Sequence, residues 1–592
     1  MARRRRTATN QLARATFSPA APASGHPGRR LGAALGKPLG VWSTLGVTLA
    51  VCLAPAWLFF HPLCGIPRDP LRVYIVYSDD FTYLSEALNT SRMLNNLFMP
   101  HNTHIVPAWR IVTWTMMRLA GRMEAAPEVL AVASYGVLVA AMLLAGWIAA
   151  RESSRRVVGL AATVAAGTTP VMLTAATWYS ASQAIWAGLA VLATVGFAQS
   201  WRYHGGKLRL AGAAGAAALG GWFWTTGYVA GPVGAVYLWT CGRPRGRLAA
   251  VVPLGASLLA AALALGLGGR KIVAPVSFHG RSVSQAADPW HGALHTLQAI
   301  PENLIFGNLG LVAETTAVQG AILTGGLVLV WYVSRRGHGW PNPLEAAGAA
   351  QVLLAYGMEW TFRGYMPFSS LRGILPWYDA VPHLGAILFV AGWYSGTHAG
   401  AATASTGRAS PLTRRGALGI GLLTVALIAL HRPRVEELWR EREPAMTRWE
   451  RQKLPVPSLQ SLRTNAVALE RAVWQRQHLA RLDHATATAR RLGIGRATIS
   501  RVFGRIDFPD LPTVCDAVEL LDVPAEGPMT DPARVLHALG LDFALEPYPR
   551  PAWLPPTEPW PLPNPIGRGV ARREDSDDAV APDHQAGPYS GH

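Results

Sequence analysis

Between residues 41 and 431 the chain passes through about eleven apolar segments, most of them roughly 17–23 residues long, enough to cross ~30 Å of hydrocarbon. They fall near 41–60, 128–150, 157–176, 181–200, 208–225, 227–241, 248–267, 315–333, 343–360, 381–397 and 415–431. Backbone in hydrocarbon has no water to bond, so such segments fold as helices that satisfy their own peptide groups. Only the short turn around Trp224–Gly227 separates the fifth from the sixth, and those two also fit a single re-entrant hairpin. Half of the 592 residues are hydrophobic and 15% are charged, a balance that excludes an ordinary soluble protein.

Loop charge sets the orientation. Arg151/Arg155/Arg156, Arg202/Lys207/Arg209, Arg243/Arg245/Arg247, Arg335/Arg336 and Arg408/Arg414/Arg415 occupy every second loop. This pattern places the N-terminus in the cytoplasm of a multi-pass plasma (inner) membrane protein, with loops 61–127, 268–314 and 361–380 outside. Residues 1–40, carrying Arg3 to Arg6, Arg14, Arg29, Arg30 and Lys37, read as a disordered basic arm. The apolar run Val41–Phe60 is too long for a signal-peptide core and lacks a small-residue cleavage site, so it reads as an uncleaved first span. The formal charge of +19 lies largely in these clusters, and topology accounts for it without a nucleic-acid partner.

After residue 431 the composition turns charged. Residues 432–550 read as a soluble domain with helical periodicity over Val435–Trp449 and Leu459–Arg491. An odd number of spans places that domain outside. Residues 551–592 read as a disordered Pro-rich tail. Ala489–Val502 has the pattern of a helix-turn-helix, with Arg496, Thr498, Ser500 and Arg501 on its second helix. A DNA-binding role would need an even number of spans, and an ordinary helix–Gly–helix turn is the simpler reading. The four cysteines, Cys52, Cys64, Cys241 and Cys515, show no metal-like spacing.

Chemistry concentrates in the first external loop, from Tyr77 to Pro107. It holds Asp79, Asp80, Glu86, His101 and His104. No nucleotide sugar is available outside the cell, so group transfer there requires a donor carried by a lipid. A sugar moved from phosphate to a hydroxyl needs a general base within about 3 Å of the acceptor proton and a cation for the departing phosphate. Asp79 or Asp80 supplies the base, the other orienting a basic group or gripping a divalent cation. His101 and His104, three residues apart, share a face if the segment is helical. They and Glu86 are candidates for substrate binding, and His104 with Asp79 and Asp80 for a metal. Lys271, His279, Arg281, Arg363 and Arg372 on the other external loops are candidates for phosphate contacts. The plainer alternative makes Asp79 and Asp80 a solvated pair, with Asp80 capping a helix over Phe81–Leu88.

Leu88–Phe98 and Trp109–Leu119 have amphipathic helical spacing and are expected to lie along the interface. Trp109, Trp114, Trp222, Trp224, Trp360 and Trp377 are then expected as headgroup-level anchors.

One span, an external loop opening with Asp79-Asp80, a following His104-Ile105-Val106-Pro107 and a long span series together resemble the GT-C superfamily of integral-membrane glycosyltransferases. Within it the likeness is to the bacterial group related to dolichyl-phosphate-mannose and arabinose transferases. The resemblance covers roughly residues 41–430. It implies an inverting transferase whose first-loop acid, Asp79 or Asp80, is the base. The implied donor is a polyprenyl-phosphate sugar and the acceptor a glycan, lipid or protein. A transporter or lipid carrier is the competing class. Its mark would be ionisable residues inside spans, and here Glu314, Glu359 and His431 sit only at ends or boundaries.

Overall fold

The computed structural model describes residues 34–60, 83–84, 86–87, 90–101, 104–121, 126–243, 245–268, 289–309, 316–336, 341–363, 376–398 and 410–451. Asp79, Asp80, Lys271, His279, Arg281, Arg372 and the segment 489–502 lie outside these residues. The described residues are helical, with three isolated bridges and no strand among them.

Every apolar segment read from the sequence is met by helix. In chain order these are α1 (Val41–Phe60), α2 (Thr90–Asn95), α3 (Pro107–Ala120), α4 (Ala126–Ser153), α5 (Arg156–Gly167), α6 (Pro170–Thr177), α7 (Gln183–His204) and α8 (Lys207–Phe223). There follow α9 (Ala230–Thr240), α10 (Gly246–Gly268), α11 (Pro289–Ala299), α12 (Ala317–Ser334), α13 (Pro343–Arg363), α14 (Ala380–His398) and α15 (Arg414–Arg451). Five helical stretches are long and apolar enough to cross a membrane: Val41–Leu58, Val129–Ser153, Ser180–His204, Gly246–Gly268 and Arg414–Glu436. The pair α5 and α6 makes a sixth if its bend is taken within one span.

That bend, 57°, has a local cause. Pro170 has no N–H to give and cannot continue a helix already under way. Thr169 restarts it as N-cap, its hydroxyl accepting from the Met172 N–H at 3.4 Å. The turn between α8 and α9 is equally constrained. Trp224 is extended, and Thr225–Val229 forms a 3-10 turn. A Cβ on Gly220 or Gly227 would run into the other's backbone carbonyl, so only glycine lets the two arms close this tightly. At eleven residues α9 is too short to cross a bilayer alone.

The core gathers around α7, whose Ile185, Ala187, Val191, Leu192, Val195 and Ala198 are buried. Against it pack α4, α8, α9 and α14. The outward faces are apolar too: Leu45, Leu49 and Leu53 on α1, Leu258 and Leu259 on α10, Leu418, Leu422 and Val425 on α15. Water would penalise such a surface, whereas hydrocarbon is its natural solvent.

Arg151, Arg155, Arg202 and Arg335 lie at helix ends on one side of the bundle. Arg202 donates to Glu152 at 2.7 Å, and Tyr237 and Gln199 donate to the same carboxylate at 3.0 and 2.9 Å. Arg155 reaches the Tyr394 hydroxyl at 2.6 Å, tying the start of α5 to the end of α14. Arg335 pairs with Glu345 at 3.2 Å across the α12–α13 turn. The change of composition at residue 432 does not interrupt the backbone, because α15 continues as one helix from Arg414 to Arg451.

Candidate functional site

At the other end of the bundle the first loop is held by a buried ion pair. Pro107 opens α3 with a φ already suited to helix. One turn in, Arg110 donates through Nε to Glu86 Oε2 at 2.7 Å, with side-chain exposures of 2% and 5%. Asn96 approaches the other oxygen of Glu86 at 3.4 Å, and Arg110 Nη1 donates to the Met99 carbonyl at 2.6 Å. One guanidinium therefore joins the helical turn at 86–87, the turn at 96–99 and α3. Glu86, a candidate for substrate binding, has its carboxylate engaged in this joint.

His101 and His104 are not on a helical turn, which corrects the expectation that they share a helix face. Their backbones exchange hydrogen bonds, His101 N to His104 O at 2.8 Å and the reverse at 2.9 Å, closing a tight hairpin. The rings therefore go to different partners. His101 lies 4.8 Å from the Tyr83 ring. His104 stacks on Trp224 at 4.1 Å, and its Nδ1 is 2.5 Å from the Thr225 hydroxyl. The loop is thereby pinned to the α8–α9 turn.

Two of the expected membrane-interface tryptophans are instead core residues. Trp109 is fully buried between Tyr83 and Tyr179, and Trp224, 7% exposed, fills the space between His104 and Tyr378. Both answer to aromatic partners rather than to a water boundary. Trp114 is half-buried and donates to Thr90 at 3.1 Å.

From Trp224 the aromatic contact continues to Tyr378 at 5.5 Å, and the next residue is Asp379. Asp379 ends the 3-10 turn Pro376–Asp379 ahead of α14. Its Oδ1 accepts from Tyr356 Oη and from Asn303 Nδ2, each at 2.9 Å. Asn303 is presented by a π-helical stretch, Ile300–Phe306, after α11, a local geometry frequent at functional sites. Burial pushes the Asp379 carboxyl up to about 7, against the pull of those two hydrogen bonds. Deeper in, Asn308 bonds His383 Nδ1 at 3.1 Å, while His431 of α15 meets the Asn308 and Thr168 carbonyls.

Beside this end runs an apolar groove of about 570 Å³, lined by α3 (Met116, Leu119), α4 (from Val129 to Ala140) and α7 (Trp186, Leu189). Leu119 and Val132 at its rim are exposed, so it opens on the lateral surface.

Arg363 is the last residue of α13, and its side chain is not among those described. Among the described residues no three His, Cys, Asp or Glu stand close enough to hold a metal. Sequence reasoning passed over Asp379, His383, Asn303, Asn308 and Tyr356. The first two had a signal: an acid and a histidine four apart at the head of an apolar segment share a helix face and are costly in a membrane. The asparagines had none. Comparison with protein-family models, with curated proteins and with solved structures finds no match.

Proposed function

We propose that this chain is an inverting glycosyltransferase of the plasma membrane, with about eleven spans, a cytoplasmic N-terminus and its site on the extracytoplasmic face. The observation that carries the reading is convergence. His104 of the first loop, Trp224 and Thr225 of the α8–α9 turn, and Tyr378 and Asp379 ahead of α14 meet at the end of the bundle opposite Arg155 and Arg202. The groove along α3 supports a donor with a hydrocarbon tail, since it is apolar, open to the lateral surface and lies along the helix that carries Arg110. In this reading the donor is a polyprenyl-phosphate sugar. Asp79 or Asp80 takes the acceptor hydroxyl proton, and the freed oxygen attacks the anomeric carbon from the face opposite the phosphate. The C–O bond to phosphate breaks, and its electron pair leaves with the polyprenyl phosphate. Arg363, Arg372, Lys271 and Arg281 are the proposed phosphate contacts, and His104 with Trp224 a wall for sugar or acceptor. A divalent cation is compatible with Asp79 and Asp80 and is not required by the scheme.

Gly136 gives a clean test. It lies in the groove, and a Cβ there would meet nothing within 4 Å. Gly136→Leu is therefore expected to fill the groove without disturbing the core. With polyprenyl-phosphate sugar as varied substrate, KM should rise about tenfold, the equivalent of ~1.4 kcal/mol, with kcat held. An unchanged donor KM would remove the groove from the site.

A carrier is the second reading, and one observation favours it: the buried Asp379, His383 and His431 form a polar seam inside the helices. Substrate-driven proton uptake into proteoliposomes without product formation would select it.

A further inference from the structure

We propose that Asp379 is the general acid of this site, donating a proton from Oδ2 to the departing phosphate while a first-loop carboxylate takes the acceptor proton. The inference rests on the glycosyltransferase reading above. Four features of the surroundings lead to it. Asp379 is buried, yet no lysine or arginine pairs with it among the described residues. Both donors, Tyr356 and Asn303, are spent on Oδ1, and no described residue donates to Oδ2. The carboxyl is thus fixed through one oxygen and free to act through the other. Finally, Tyr378, its neighbour in the chain, packs on the Trp224 that stacks on His104, so Asp379 belongs to the end of the bundle that the first loop reaches.

A purely structural acceptor for Tyr356 and Asn303 would be served as well by asparagine, with no ionisable group to bury. The chemistry of the leaving group gives the acid a purpose. A sugar phosphodiester carries one negative charge; when its sugar–oxygen bond breaks, the phosphate gains a second. A buried carboxyl that holds its proton up to about pH 7 does not, in that form, repel the bound donor, and it can supply the proton as the second charge develops. The balance is complete. The acceptor proton moves to Asp79 or Asp80, the Asp379 proton moves to a phosphate oxygen, and solvent resets both. Among the described residues, the buried titratable groups at this end of the elements around Asp379 include Tyr356 and Glu359 of α13, Glu302 of the π-helical stretch, His383 of α14 and His431 of α15.

The test is the pH profile of transfer from a polyprenyl-phosphate sugar, measured on the full chain in proteoliposomes. Wild type should lose kcat as pH rises through about 7, the value to which burial raises Asp379. Asp379→Asn should lower kcat about 10²-fold, with donor KM little changed, and should abolish that alkaline limb. Tyr356→Phe removes a hydrogen bond that favours the charged carboxylate, so its limb should move to higher pH. Stability gives a second readout of opposite sign. The folded carboxyl keeps its proton between the unfolded value near 3.8 and about 7, so its stabilising effect is lost as pH rises across that window. Asp379→Asn should therefore unfold at or above the wild-type temperature at pH 8. Survival of the alkaline limb in Asp379→Asn, or an unmoved limb in Tyr356→Phe, would overturn the assignment while leaving the transferase reading intact. A wild type that transfers no sugar would end both.

Discussion

Arg110→Met is expected to destabilise the chain by about 3–5 kcal/mol, because it leaves the Glu86 carboxylate buried without its cation. The loss extends beyond the pair. Arg110 also closes the turn at 96–99 through Met99 O, so the hairpin carrying His101 and His104 loses its anchor on α3. Thermal unfolding in detergent should show the drop, together with easier proteolysis of the first loop. Glu86→Gln combined with Arg110→Met should recover most of the stability, since the pair is then replaced by neutral groups of similar volume. A double variant no better than the single would mean that the contacts of Arg110 with the backbone, not the ion pair, hold the loop.

The second large effect belongs to the aspartates at the head of that loop. One of Asp79→Asn and Asp80→Asn should cut transfer by about 10²–10⁴-fold, the usual contribution of a general base, with the other falling less. Expression, unfolding temperature and membrane insertion should match wild type in both. Full activity in both variants would eliminate the proposed mechanism.

How much could be read from the sequence depended on what kind of interaction made each feature. Helix positions were legible because hydrocarbon demands a continuous apolar run, and α1, α10, α12 and α14 begin and end within a few residues of the expected bounds. The break at Thr168–Pro170 was written in the proline but absorbed into one apolar segment, since hydropathy is blind to a missing N–H. Trp109 and Trp224 were placed at the interface because their amphipathic rings suit it. Contacts with Tyr83, Tyr179 and His104, distant in sequence, drew them inward instead. His104 stands in a short motif legible in the sequence, but its hydrogen-bond partner Thr225 lies 121 residues away and carries no signal of its own. Asp379 sat in plain view before α14. Its one-sided hydrogen bonding depends on Tyr356 and Asn303, which only folding brings together.

The most direct test supplies the purified wild-type chain, in proteoliposomes, with polyprenyl-phosphate sugars and follows both products of a single displacement. The account requires polyprenyl phosphate to be released in a one-to-one ratio with glycosylated acceptor of inverted anomeric configuration. Folded protein that binds such donors yet never releases polyprenyl phosphate, or that forms a product with retained configuration, would contradict it.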